Sequence, residues 1–147
     1  MTSSTSSLAE RPSPLLTPAN LSALLAGVVF LVALGVRLIG LSWGLPNEIR
    51  HQSLHPDELL ILRHTVAKPF FKPGFYHYGT LYLTFLKAGG EAGTRTGLVP
   101  PYDQEPWRAE RAWHLVGRFI SALMGALSAM LIFFALSYVA PLWASSI

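Results

Sequence analysis

Apolar residues run without a charge from Leu21 to Val36, pause at Arg37, and resume over Leu38 to Leu41. A second run starts at Leu115, is free of charge from Phe119 to Val139, and fades near Trp143. About 20 helical residues at about 1.5 Å each cross a hydrocarbon layer about 30 Å thick. Both runs therefore predict membrane-spanning helices, over residues 21–42 and 114–140, the second helix starting already near Trp107. Asn20 is the expected N-cap of the first, and Gly44 and Pro46 end it. Trp43 falls at interfacial depth, and Arg37, near the same end, is expected to reach lipid headgroups.

Between the runs lies a polar loop, residues 43–113. Leu59, Leu62 and Val66 recur at helical spacing and are flanked by Glu58, Arg63 and Lys68. That pattern predicts an amphipathic surface helix at about 56–68, broken by Pro69, Pro73 and Gly74. Tyr78 to Ala88 is apolar but too short to span, so a second surface or re-entrant helix is expected at about 78–90. Gly89 to Pro106 is rich in Gly and Pro and reads as irregular. In the second span Gly117, Ser121, Gly125 and Ala129 recur every fourth residue, a stripe that lets the first span approach closely. Residues 1–20, with Pro12, Pro14 and Pro18, predict a flexible tail, cytoplasmic if the loop is extracytoplasmic. They lack the basic start of a signal peptide, and the apolar run behind them is too long for one.

Composition sharpens this picture. Charged residues are 13% of the chain, about half the soluble average of about 25%. The eleven Lys and Arg residues are scattered, which excludes the basic stripe of a nucleic-acid binder. The chain has no cysteine, so disulfides and thiolate metal sites are excluded. Eight basic residues lie in the loop against one, Arg11, in the tail. A positive-inside count would place the loop in the cytoplasm, but that rule weakens for loops beyond about 60 residues.

The chemistry concentrates at His55-Pro56-Asp57-Glu58. One reading is a helix start, with His55 as N-cap, Pro56 at the first helical position and two carboxylates in the positive first turn. The other is a general base or a cation ligand at the membrane edge. A metal-dependent hydrolase built on His55, Asp57 and Glu58 is disfavoured, because His55 and Asp57 are only two apart and no distant ligand set is apparent. His51, His64 and His77 show no ligand spacing and read as surface residues. Arg118 lies one turn inside the second apolar run, with His114 one turn earlier on the same face. Taken alone, they read as a headgroup contact and an interfacial polar residue. Tyr76, Tyr78 and Tyr82 read as interfacial anchors.

Five pieces in order carry a family likeness: Arg37-Leu38-Ile39-Gly40-Leu41, Gly44-Leu45-Pro46, His55-Pro56-Asp57-Glu58, Tyr78-Gly79-Thr80-Leu81-Tyr82-Leu83, and Gly117-Arg118-Phe119-Ile120-Ser121 through Leu127. From Leu21 to about Ser137 the chain resembles the N-terminal segment of GT-C glycosyltransferases. The resemblance is to the lineage of dolichyl-phosphate-mannose protein mannosyltransferases and bacterial aminoarabinose transferases. It implies a partial GT-C fold: an all-α membrane protein whose two spans are joined by an extracytoplasmic loop with short amphipathic helices, in the inner membrane of a prokaryote. It implies sugar transfer from a polyprenyl-phosphate donor to an acceptor hydroxyl, with inversion. Asp57 then matches the base, and Glu58 its acidic neighbour, which positions the acceptor or, in some relatives, a divalent cation. Arg118 matches an arginine linked to the donor phosphate. His55, Tyr78 and His114 stand as accessory candidates, and the loop helices are expected to bring Asp57 toward Arg118. The family usually has many more helices, so residues 141–147 read as a truncated end, to be completed by further helices or a partner membrane subunit. The alternative is a non-catalytic two-span protein acting through helix packing.

Overall fold

The computed structural model describes residues 18–144, with side chains over 20–140. Four helices follow in order: α1 (Pro18–Leu38), α2 (Pro56–Val66), α3 (Thr80–Arg95) and α4 (Pro106–Ala144). No strand occurs among the described residues. The expected tail falls almost wholly outside them, as does the end of the chain beyond Ala144.

α1 and α4 are long and apolar enough to cross a membrane, each with a mean hydropathy of 2.3 in its candidate span. Only 6% of the α1 window and 11% of the α4 window is buried inside the chain. A core helix of a soluble protein would be mostly covered, whereas Leu31, Val36, Leu131 and Leu136 are each more than 60% exposed. Water would penalise so much bare apolar surface, and lipid does not. The pair points to a membrane protein.

α1 and α4 run antiparallel. Arg37 of α1 lies beside Gly125 of α4, and the carbonyl of Leu41 just past α1 meets Arg118. Along the interface Ala26, Ala122 and Ala126 are buried. The small-residue stripe divides between two partners instead of serving α1 alone. Gly117 faces Tyr82 and Leu86 of α3, and Gly125 faces Arg37.

α2 and α3 fold over the end of this pair. Leu62, Leu86, Val99 and Trp113 form a small buried core there. Lys87 of α3 donates to the carbonyls of Thr65 and Val66, satisfying the open C-terminal end of α2.

Three boundaries differ from the sequence reading, and the start of α4 agrees with it. Helix already begins at Pro18, so Asn20 stands inside α1 rather than at its N-cap. α1 stops at Leu38, and the chain turns through Gly40 at φ 78° and Gly44 at φ 69°, backbone that glycine adopts without strain. α4 begins at Pro106, one residue from the helix start expected near Trp107 and eight before the span expected over 114–140; its first turns belong to the loop, where Trp107 stacks on His51 and Arg111 donates to the carbonyl of Pro46. The largest difference is at Gly89–Arg95, expected to be irregular and found helical. Here glycine serves contact: the ring of Trp113 rests on Gly90 and the side chain of Val99 on Gly93. That packing outweighs the poor helix propensity of glycine.

Candidate functional site at the mouth of the two spans

The turn from α1 to α2 sets up the site. The Asn47 side chain accepts the amides of Ile49 and Arg50, and the Arg50 guanidinium donates to the carbonyls of Leu45 and Gln52. The amide of Leu54 donates back to the carbonyl of Gly44 at 2.9 Å, which closes the loop. α2 then begins as the proline and paired carboxylates predict. His55 is the N-cap residue, Pro56 follows, and Asp57 and Glu58 occupy the first turn. The His55 side chain makes no capping bond; its ring lies 5.5 Å from that of Trp43.

Glu58 meets Arg118 in a two-point pair. Arg118 Nε donates to Oε1 at 2.9 Å and Nη2 to Oε2 at 2.8 Å. Nη1 of the same guanidinium donates to the carbonyls of Leu41, at 2.8 Å, and Trp43, at 2.6 Å. One arginine of α4 thereby ties the exit of α1 to the start of α2. Four of its five N–H donors are engaged. Ser53 adds a hydroxyl donated to Glu58 Oε2 at 2.9 Å, and its oxygen accepts the amide of His55. Burial acts to raise the Glu58 carboxyl. The hydrogen bonds from Arg118 and Ser53 and the charge of Arg118 outweigh it, so Glu58 titrates below its ordinary 4.5.

A carboxyl held below its ordinary value stabilises the fold wherever the unfolded chain would also be ionised, above about 4.5. That contribution disappears as pH falls through the depressed folded value. We therefore expect the stability difference between wild type and Glu58→Gln in a mild detergent to be flat from pH 8 to 5 and to shrink below. A difference that does not change on acidification would remove Glu58 as a source of acid lability.

The carboxylate opposite Arg118 is thus Glu58, not Asp57. Successive helical residues point about 100° apart, so only one of an adjacent pair can face α4. Asp57 is exposed, with no ion pair or side-chain hydrogen bond among the described residues. Among the described residues no three His, Asp or Glu side chains group as a metal site would need. Both Glu58 oxygens already accept hydrogen bonds from Arg118 and Ser53, so this arrangement does not fit a divalent cation shared between Asp57 and Glu58.

His114 is buried, with Nδ1 3.9 Å from Glu58 Oε2 and Nε2 without a partner. It borders a void of about 30 Å³ that also touches Glu58, Tyr82 and Arg118, space for about one water. Tyr78 lies elsewhere, its ring 5.7 Å from Phe75 in a cluster with His64 and His77. The tyrosine at the site is Tyr82, one helical turn further along, a spacing already visible in the sequence. Ser53 has a weaker signature, because it lies five residues before Glu58 instead of the three of a capping box.

Below the pair opens a cleft of about 450 Å³ between the spans. It is lined by Glu58, Tyr82, Arg118, Gly40 and Leu41 at its mouth and by Arg37 and Ser121 further in. The arrangement offers an exposed carboxylate, Asp57, in the first turn of α2, a locked ion pair at the next residue, and a groove of mixed polar and apolar lining open to the side. No family model, curated protein or solved structure matches this chain.

Proposed function

We propose that this chain carries the acceptor-side half of a membrane glycosyltransferase site, using a sugar on a polyprenyl phosphate as donor. The acceptor hydroxyl attacks the anomeric carbon from the face opposite the phosphate. The bond from that carbon to the phosphate oxygen breaks, the lipid phosphate leaves with the electron pair, and the sugar inverts. Asp57 takes the hydroxyl proton as the new bond forms. Glu58 and Arg118 fix the first turn of α2, and with it the backbone that carries Asp57. The lipid tail stays in the bilayer beside α1 and α4, which is why such a site belongs at their ends. In this reading the loop faces the extracytoplasmic side of a prokaryotic inner membrane, and further helices or a partner subunit complete the donor groove.

The observation that carries the proposal is Asp57: an exposed carboxylate with no partner among the described residues, next in sequence to Glu58, which is locked in an ion pair and lines the cleft between two apolar helices. The ordered series of motif pieces supports it independently. The test is Asp57→Asn in membranes of cells expressing the protein from its own gene, supplied with polyprenyl phosphate bearing a labelled sugar. A positioned base contributes about 10²–10⁴-fold, so transfer should fall about a hundredfold with protein level unchanged. Transfer that survives within twofold would remove Asp57 as the base and return the chain to the packing-protein reading.

A further inference from the structure

Arg118 cannot readily serve as a free anion ligand, since both faces of its guanidinium are in use, on Glu58 and on two carbonyls. The cleft holds a second arginine. Arg37 does not reach up toward the aqueous side. Its Nη1 donates to the carbonyl of Ala33, one turn further into the span, at 3.1 Å. Its Nε, Cζ and Cδ lie where a side chain at position 125 would begin, at 2.6, 3.2 and 3.3 Å from a Cβ built on Gly125. Gly125 is seven residues, about 10 Å of helix, deeper than Arg118. The Cα–Cβ bonds of a helix tilt toward its N-terminus, and the N-terminus of α1 lies across the membrane, so the arginine leans inward from its root.

This places a guanidinium inside an apolar span with one carbonyl partner and no acidic partner among the described residues. A cation within an apolar span is unfavourable unless an anion or water accompanies it. Glu58, the nearest carboxylate lining the same cleft, is committed to Arg118. Ser121, Gly40 and Leu41 line the same cleft as Arg37, and Gly125 leaves the room the side chain occupies.

We propose that Arg37 is the anion-binding residue of this cleft and takes the phosphate of a membrane-embedded lipid, while Arg118 positions the loop. Only the identity of that lipid, an isoprenoid phosphate, rests on the sugar-transfer reading. A guanidinium binds phosphate through two parallel donors. At this depth the phosphate lies just inside the headgroup level with its chain along α1 and α4, an arrangement open to a lipid and not to a soluble phosphate ester.

The test uses the full chain in maltoside detergent, which carries no phosphate. Binding of geranyl phosphate, lysophosphatidylglycerol and inorganic phosphate is followed by ³¹P line broadening and calorimetry. Arg37→Gln should weaken geranyl phosphate at least tenfold, Arg37→Lys less, and geraniol should not bind detectably. Gly125→Ala, which keeps the charge but puts a methyl group where the guanidinium lies, should weaken it several-fold with helix content unchanged. Equal affinity in wild type and Arg37→Gln, or no binding of any probe to wild type, overturns the proposal. Binding of inorganic phosphate as tight as geranyl phosphate overturns its lipid part. Arg37-dependent binding of lysophosphatidylglycerol with none of geranyl phosphate upholds the anion site and counts against the sugar-transfer reading instead.

Discussion

Arg118→Met is expected to destabilise the protein by about 3 kcal/mol and to loosen the loop before it loosens the spans. Methionine keeps the apolar stem but removes four hydrogen bonds at once. The carbonyls of Leu41 and Trp43 lose their partner, and the Glu58 carboxylate keeps only Ser53. Breaking a fully buried pair by deleting one member costs about 3–5 kcal/mol. The side chains here are 15% and 26% exposed, so the lower end applies. Arg118→Lys should recover less than half, because a point charge cannot bridge two carboxylate oxygens and two carbonyls together. Glu58→Gln should cost less than Arg118→Met, and the double variant less than the sum, since the two singles remove one shared contact. Reversible unfolding in mixed detergent measures the total, and amide exchange over 41–58 measures the local effect. A loss under 0.5 kcal/mol, or exchange unchanged over that segment, would show that the strap contributes little.

Burial of the pair also separates the two carboxylates by role. Glu58 is already neutralised by a cation and sits below its ordinary titration range, so it is a poor proton acceptor. Asp57 has nothing competing for its lone pairs. Adjacent acidic residues at the head of a helix thus divide naturally into one that holds the turn and one that faces the solvent.

Sequence pattern gave the spans, because about 20 uncharged residues have few fates other than lipid. It gave the start of α2, because proline and two carboxylates suit an open helix N-terminus on purely local grounds. It brought Arg118, His114 and the acidic pair to one place, but not the pairing. Whether Asp57 or Glu58 faces α4 depends on a rotation of α2 set by Leu62 packing on Trp113, Leu86 and Val99, contacts at long separation in sequence. Arg37 looked like an ordinary helix-end arginine; only Gly125 on the opposing helix, 88 positions later, lets it turn inward. Tyr78 and Tyr82 share one face of a helical pattern, so spacing could not say which would reach the cleft. The second half of α3 was hidden for a related reason. Gly89, Gly90 and Gly93 read as breakers until the side chains that need their bareness are known.

That dependence makes Gly90 the most sensitive of these glycines, and Gly90→Ala is expected to cost about 3 kcal/mol. A single added methyl would collide with the six-membered ring of Trp113. Trp113 is 5% exposed and wedged among Leu62, Leu86 and Val99, so it has little freedom to withdraw. On helix propensity alone alanine would gain about 1 kcal/mol, so a destabilisation isolates the steric term and even sets its sign. The comparison variant is Gly97→Ala, where no atom lies within 4 Å of the new methyl and φ is 76°; it should cost about 1 kcal/mol through backbone strain alone. Undocking should appear as a red shift of the Trp113 emission and as faster amide exchange across Thr80–Arg95, with α1 and the lipid-facing part of α4 protected as before. If Gly90→Ala proved as stable as wild type, α3 would have to sit further from α4 than it does here. Tyr82 would then leave Gly117 and the mouth of the cleft, because the same helix carries both contacts.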